Sequence, residues 1–287
     1  MKTGLVLEGG AMRGLFTAGV LDVLLERGVR FDGMIGVSAG AAFGCNFKSG
    51  QRGRVLRYNL KYCRDHRYCS LRSWLFTGDL FGADFCYREL PDELDPFDAA
   101  AFAADPTRFF LVCTDIDRGE AVYHECSVAD RECYEWMRAS ASMPLVSRIV
   151  RIGDGGYLDG ALSDSIPLEF MEKRGYDRNV VILTQPRGYV KKPVRLLPLL
   201  NAIYRKYPKM LEALRKRHLV YNAEVALAEA REAAGAALII RPEQPLPVGR
   251  ISRSPEKLRR TYELGRAAAE RCLPRIAEFI GAAARKN

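Results

Sequence analysis

Gly36-Val37-Ser38-Ala39-Gly40 ends an apolar run, Phe31 to Val37, that reads as a strand finishing inside a fold. Ala41-Ala42-Phe43-Gly44 follows and suits the start of a helix. A strand, then G-x-S-x-G, then a helix is the sequence form of a nucleophile elbow. The chemistry accounts for Gly36 and Gly40. A serine on a sharp strand-to-helix turn sits in strained backbone, and the positions two before and two after must lack side chains for the chain to fold back closely. The helix start also presents free N–H groups and a positive dipole end near the Ser38 hydroxyl. The same pattern arises by chance, in which case Ser38 is a small residue in an ordinary β-to-α turn. The flanking sequence has to decide.

Upstream, Gly4-Leu5-Val6-Leu7 reads as a first strand and Glu8-Gly9-Gly10-Ala11-Met12-Arg13-Gly14 as a glycine-rich turn. Leu15 to Arg27 is expected to be an amphipathic helix, with Leu15, Val20, Leu21, Leu24 and Leu25 on its apolar face and Gly28 ending it. Strand, loop, helix, strand, elbow, helix is the order of a parallel sheet covered by helices. A glycine-rich turn after a first strand also suits a dinucleotide. Here the spacing Gly9-Gly10-x-x-x-Gly14 is not G-x-G-x-x-G, and Glu8 places a negative charge where a pyrophosphate would lie. The other use of small residues at such a turn is to let backbone N–H groups point at a developing oxyanion.

Downstream, residues 45–90 are mixed and aromatic, and within them Leu71 to Phe85 lacks a clean period, a stretch that suits a lid or the wall of an apolar pocket, or a loop packed on the core. Arg108 to Ile116 and Ala121 to Glu125 read as a hairpin around an Asp-Arg-Gly turn, Ala129 to Arg138 as a helix, and Ile149 to Ile152 as a strand. Asp154-Gly155 and Asp159-Gly160 each suit a plain turn. Pro167 starts a helix to Arg174, and Val180 to Thr184 reads as a buried strand. Residues 191–234 read as helical and basic, and Ala237 to Ile240 as a last strand. A proline-rich link, Pro242 to Pro247, leads to a helix from about Ser254 to Ala284.

At 287 residues, with 48% hydrophobic and 28% charged side chains, the composition is that of a globular α/β domain. No apolar run reaches the roughly 18 residues that span a bilayer. One Lys and four apolar residues before Glu8 make no secretory leader. The eight Cys include no C-x-x-C pair, and no His stands at zinc-ligand spacing, so reduced thiols, a cytoplasmic location and no bound metal are expected. The net charge of +9 is concentrated: residues 187–218 hold ten Lys and Arg against the single acid Glu212. Leu196, Leu197, Leu199, Leu200 and Ile203, with Tyr189, Tyr204 and Tyr207, interleave that run and suit peripheral contact with an anionic membrane. A solvated helix face is the plainer account. No nucleic-acid reader motif is present, and no nucleic-acid partner is expected.

Taken together, these blocks resemble the patatin-like phospholipase family. Glu8 to Gly14 is similar to the family's D-G-G-G-x-R-G oxyanion loop, Gly36 to Gly40 is its G-x-S-x-G elbow, and Asp159-Gly160-Ala161 resembles its D-G-[GA] block. Ala139 to Pro144 is also like a segment that members carry. The tail resembles a bacterial subgroup whose members are mostly uncharacterised. The resemblance implies a three-layer α/β/α fold with a mostly parallel central sheet. Residues 1–185 would form the catalytic core, with 186–287 packed on the same domain. It implies a serine acyl hydrolase of lipid esters without a cofactor. Ser38 would be the nucleophile and Asp159 its base, Gly9, Gly10 and Ala11 would form the oxyanion hole, and Arg13 would bind substrate phosphate or brace the loop. Two departures stand out: Glu8 replaces Asp, and Ala11 replaces the third Gly. Alanine keeps its N–H, but it is strained if its φ is positive.

Asp154-Gly155-Gly156 is the more literal D-G-G, yet only Asp159 has Asp164 five residues on and Pro167 eight residues on, at the family's spacing. Two other classes stay open. The order Ser38, Asp159, His218 is that of a Ser–His–Asp carboxylesterase of small soluble esters. His66 and His124 read as structural or surface residues. A catalytically weak lipid-binding protein is the remaining reading.

Overall fold

Alternate residues of a strand point to opposite faces of a sheet, and a sheet covered on both faces is apolar on both. The computed structural model describes residues 1–284, and its strands follow that rule. β1 (Lys2–Leu7), β2 (Gly33–Val37), β3 (Arg108–Asp115), β4 (Ala121–Glu125), β5 (Val150–Ile152), β6 (Gly155–Asp159), β7 (Tyr176–Ile182) and β8 (Ala237–Ile240) form one sheet. The hydrogen-bonded order is β5-β6-β3-β2-β1-β7-β8, with β4 also on β3. The pairs from β3 through β8 are parallel, while β4, β5 and β6 pair antiparallel.

Leu5, Leu7, Met34, Phe109 and Leu111 pack one face against α1 (Gly14–Glu26), α2 (Ala39–Lys48) and the helices beyond. Val6, Ile35, Val37, Phe110 and Val112 pack the other face against Leu168, Met171, Tyr221 and Ala228. The intervening helices are α3 (Arg54–Tyr62), α4 (Leu71–Thr77), α5 (Ala99–Ala104), α6 (Arg131–Ser140), α7 (Leu168–Lys173), α8 (Leu197–Ile203) and α9 (Pro208–Ala233). The last, α10 (Pro255–Ala284), lies across α1. This is the expected three-layer α/β/α arrangement with a mostly parallel sheet.

Several local expectations need correction. α1 is not amphipathic: Gly14 through Leu24 are all buried. α10 covers its outward side, and the two backbones meet at glycines. A Cβ on Gly19 would lie 2.1 Å from the Tyr262 carbonyl oxygen, and one on Gly265 would lie 2.0 Å from that of Phe16. The polar residue of that covered face, Asp22, accepts from the Tyr262 hydroxyl at 2.7 Å. Phe31 is a core residue ahead of β2 rather than in it. Only the first Asp-Gly is a plain turn. Gly155–Asp159 is a strand, paired with both β5 and β3, and that double pairing overrides the low strand propensity of its two glycines. The basic stretch is not continuously helical. Pro193 stands in the non-helical stretch ahead of α8, Pro198 lies in the first turn of α8, and Pro208 opens α9.

In the aromatic stretch, Tyr58, Tyr68 and Phe85 pack edge-on inside, whereas Leu71, Leu75 and Phe76 of α4 point out. All eight Cys are free thiols. Among the described residues, no helix is long and apolar enough to cross a membrane.

Candidate active site

One edge of β3 serves two strands in succession. β2 runs parallel along it as far as Val37 opposite Val112, and β6 arrives antiparallel with Asp159 opposite Cys113. Adjacent residues of a strand are about 3.3 Å apart along it. The residue that follows Val37 and the residue that ends β6 therefore meet. They are Ser38 and Asp159, and the Ser38 hydroxyl is close enough to weigh on the ionisation of the carboxylate.

Ser38 has φ +56° and ψ −120°, a left-handed conformation that costs an L-residue roughly 1–3 kcal/mol. The surroundings hold it there. Its N–H donates at 3.0 Å to the Ser140 hydroxyl, which donates at 2.7 Å to the Val112 carbonyl. The elbow glycines are needed for close approach: a Cβ on Gly36 would lie 2.6 Å from the Ala41 nitrogen, and one on Gly40 would lie 2.4 Å from the Leu7 carbonyl oxygen. Ser38 is also the N-cap of α2, at the positive end of that helix's dipole.

Asp159 is almost wholly buried, and burial raises its carboxyl above the usual carboxylate range. The Ala161 N–H, donating at 2.8 Å, is the chief opposing influence, followed by Ser38, Arg217 and Lys191. Gly160 fits where a Cβ would lie 2.3 Å from the Val112 carbonyl oxygen. Asp154, by contrast, sits exposed in the β5–β6 turn. Downstream, the Asp164 carboxyl accepts from the Tyr123 hydroxyl at 2.7 Å and lies against Glu224 of α9. Burial and that second carboxyl push Glu224 up to about 8.

The loop after β1 lies directly against the serine. A Cβ on Gly9 would lie 2.8 Å from that of Ser38. The N–H groups of Gly9 and Gly10 find no acceptor among the described residues. Ala11 has φ +48°, so the alanine in the position of the family's third glycine is strained. Glu8 is buried and turned away from the serine. It accepts from the Thr184 N–H and hydroxyl and, at 2.8 Å, from the Tyr221 hydroxyl, tying β1 to the segment after β7 and to α9. Arg13 is largely buried, and its Nε has no hydrogen-bond partner.

A cavity of about 140 Å³ opens from Ser38 and Ala11 between Phe43, Tyr58, Tyr68, Tyr87 and Met137. Its walls are largely apolar, with Arg54, Asp79 and Arg138 as the charged exceptions. Among the described residues, no histidine bonds to Ser38 or bears on Asp159. His218 lies on α9 with a buried Nδ1 that has no partner, His124 stacks on Trp136 at 4.3 Å, and His66 is exposed beside Asp65.

Three groups at the site escaped the sequence. Ser140 lies in a block noted only for its likeness to family members. Lys191 and Arg217 lie in a charge run that suggested solvated residues. The one available signal was spacing: Arg217 and Tyr221, four apart on a helix, share a face with the buried Leu214.

A family model described as patatin-like phospholipase matches residues 5–171, and one described as a domain of unknown function matches residues 207–281. The chain is 30% identical over 192 residues to uncharacterized protein YjjU of Escherichia coli K12, covering 64% of this chain and 52% of that one. It is 28% identical over 183 residues to lysophospholipase NTE1 of Candida glabrata, covering 60% of this chain and 10% of that one. The chain thus spans about half the length of the first of these relatives and a tenth of the second. A solved structure, VipD from Legionella pneumophila, aligns with 95% of this chain and 67% of its own at 13% identity and a TM-score of 0.46.

Proposed function

From the premise that this chain belongs to the patatin-like phospholipase family, we propose that it is a serine hydrolase of lipid esters working through a Ser38–Asp159 dyad. The observation that carries this is the shared edge of β3, which brings a strained serine against a buried carboxylate, with no histidine bearing on either among the described residues. Ser38 Oγ attacks the ester carbonyl carbon as Asp159 takes its proton. The raised affinity of Asp159 for a proton makes it a better base than an exposed aspartate. The N–H groups of Gly9, Gly10 and Ala11 hold the oxyanion, and one such donor is typically worth about 10²–10³ in kcat. Asp159 returns its proton to the leaving alcohol, leaving an acyl-serine. It then takes a proton from the water that hydrolyses this intermediate, and Ser38 is regenerated. The aromatic cavity suits the acyl chain, phospholipids and lysophospholipids being the substrates in view. Arg13 serves either the substrate phosphate or the loop. Residues 186–287 we treat as part of the same folding unit, because β8 extends the sheet and α10 covers α1; the last three lie outside the described residues.

The site also suits work at a lipid surface. Leu71, Leu75 and Phe76 on α4 and Leu196, Leu199 and Ile203 around α8 are exposed. Both groups flank one loop, since Leu145 accepts from Trp74 Nε1 at 2.7 Å and donates to the Tyr204 hydroxyl at 3.0 Å. Exposed Lys192, Arg195, Arg205 and Lys206 border them, an arrangement that favours an anionic bilayer.

The test is hydrolysis of a medium-chain p-nitrophenyl ester by the wild type, Ser38→Ala and Asp159→Asn. Both variants are expected to lose at least about 10³-fold in kcat while keeping the native circular dichroism spectrum. An Asp159→Asn enzyme with most of its activity removes the dyad and turns attention to His218.

A further inference from the structure

We infer that the active site carries a cationic recess, built by Arg13, Lys191, Arg217 and Arg250, that seats the phosphate of an anionic lipid headgroup. This rests on the lipid-ester reading above and names the polar half of the substrate. Three of the four residues come from outside the stretch that carries the elbow and the aspartate motif.

Separate elements place them together. Arg13 follows the oxyanion loop. Arg250 is brought alongside by its own carbonyl, which accepts from the Met12 N–H at 3.4 Å. Lys191 sits on the strap between β7 and α8. Its backbone N–H donates to Asn222 Oδ1 at 2.9 Å, and its carbonyl accepts from Asn222 Nδ2 at 3.2 Å, so the strap is pinned to α9. That pin sets Lys191 Nζ over the Tyr221 ring, 3.7 Å from its centroid. One turn earlier on α9, Arg217 is 9% exposed and spends its Nε on the Ala161 carbonyl, two residues after Asp159.

The recess holds more positive than negative charge: four cations face Glu8, Asp159 and Glu224. None of the four cations forms an ion pair among the described residues. Neighbours on the same segments do pair: Arg187 with Glu232, Lys216 with Glu212 and Arg241 with Glu229. The nearby carboxylates are engaged elsewhere: Glu8 with Thr184 and Tyr221, Asp159 with the Ala161 N–H, and Glu224 with the Ser165 and Ile166 N–H groups. Arg13 Nε is buried with no acceptor. The cations press on one another, and burial together with Arg217, Arg250 and Arg13 brings Lys191 down to about 7. Arg217 is buried, Arg13 and Lys191 are partly buried and Arg250 is exposed at the rim; unpaired charge of this kind is costly, and a cluster of it beside Asp159 suits a counter-charge. The position fixes which counter-charge. Arg217 bonds the Ala161 carbonyl two residues after Asp159, and the Arg250 carbonyl holds Met12, which lines the aromatic cavity together with Ser38, so an anion seated here stands beside the reacting groups, as a headgroup phosphate does when the acyl chain fills that cavity. A zwitterionic choline headgroup fits poorly. Its ammonium would meet four cations, and the face of Tyr221 that would cradle it is taken by Lys191.

Binding measured without turnover separates this from the catalytic reading. In the Ser38→Ala background, calorimetry would compare dodecanoyl lysophosphatidic acid, dodecanoyl lysophosphatidylcholine and monododecanoylglycerol, all below their micellar concentrations, and inorganic phosphate. Lysophosphatidic acid is expected to bind at least tenfold tighter than either other lipid. That ratio should fall about tenfold in Lys191→Met and several-fold in Arg250→Gln, an exposed position that leaves folding intact. Inorganic phosphate is expected to bind weakly and to be displaced by lysophosphatidic acid. Equal affinity for the three lipids, or a ratio unchanged in both variants, overturns the recess. Phosphate that binds without competing with the lipid assigns it to a free anion instead and overturns the headgroup reading. Wild-type hydrolysis of the p-nitrophenyl ester is read independently, so failure of the recess leaves the dyad standing.

Discussion

Crowding cations for function should weaken the fold, and Lys191→Met measures by how much. Unfolded, the lysine titrates near 10.5; folded, near 7. Between these values the unfolded chain holds a proton that the native state lacks. Stability therefore rises with pH through that window, by about 1.4 kcal/mol per pH unit from this group. Below about pH 7 both states are protonated, and the full penalty, roughly 3–5 kcal/mol, stands. Methionine keeps the apolar stem over Tyr221 and removes the charge. Urea denaturation of wild type and Lys191→Met at about pH 6.5 and about pH 9.5 should show the variant several kcal/mol more stable at the lower pH. At the higher pH the gap should shrink to roughly 1–2 kcal/mol, since the native lysine has shed its proton there. A gap of equal size at both pH values refutes the reasoning, because it means that Lys191 is not held below the ordinary lysine range.

Other outcomes follow from single features. Ala11→Gly should raise stability by roughly 0.5–1 kcal/mol in chemical denaturation, since the left-handed strain at φ +48° exceeds the added entropy of glycine; a loss would show that Ala11 is unstrained. Glu224, raised from 4.5 to about 8, binds a proton in the native state that the unfolded chain releases, so its contribution is lost as pH rises between those values. Glu224→Gln should flatten that fall, and parallel wild-type and variant curves between about pH 5 and 8.5 would count against it. Leu75→Ser with Phe76→Ser should cut sedimentation with anionic vesicles several-fold at unchanged melting temperature; full retention would move the lipid-facing surface elsewhere.

The nucleophile was legible because its signal is contiguous. A strand, two glycines and a helix start stand side by side around Ser38, and each is a local constraint. Asp159 was legible only through family spacing, since what brings it to Ser38 is a pairing between β3 and a strand with two glycines that no alternation rule finds. Glu8 was legible as an oddity but not as a tie, because its partners Thr184 and Tyr221 are far along the chain. Lys191 and Arg217 were misread for the opposite reason. A basic run has a default solvated reading, and only the strap held by Asn222 and the inward face of α9 bury two of its members. The same holds for α1, whose outward residues became core when α10 arrived to cover them.

That crossing of α1 and α10 bears on how the protein is made. A ribosome delivers Phe16 and Gly19 more than two hundred residues before Tyr262 and Gly265, which close over them. Until that late helix emerges, an apolar flank of α1 stays uncovered. Arg250, whose carbonyl braces the oxyanion loop at Met12, is also still missing. Over that interval the nascent chain is therefore vulnerable to aggregation, and its oxyanion loop remains unbraced until residue 250 has emerged.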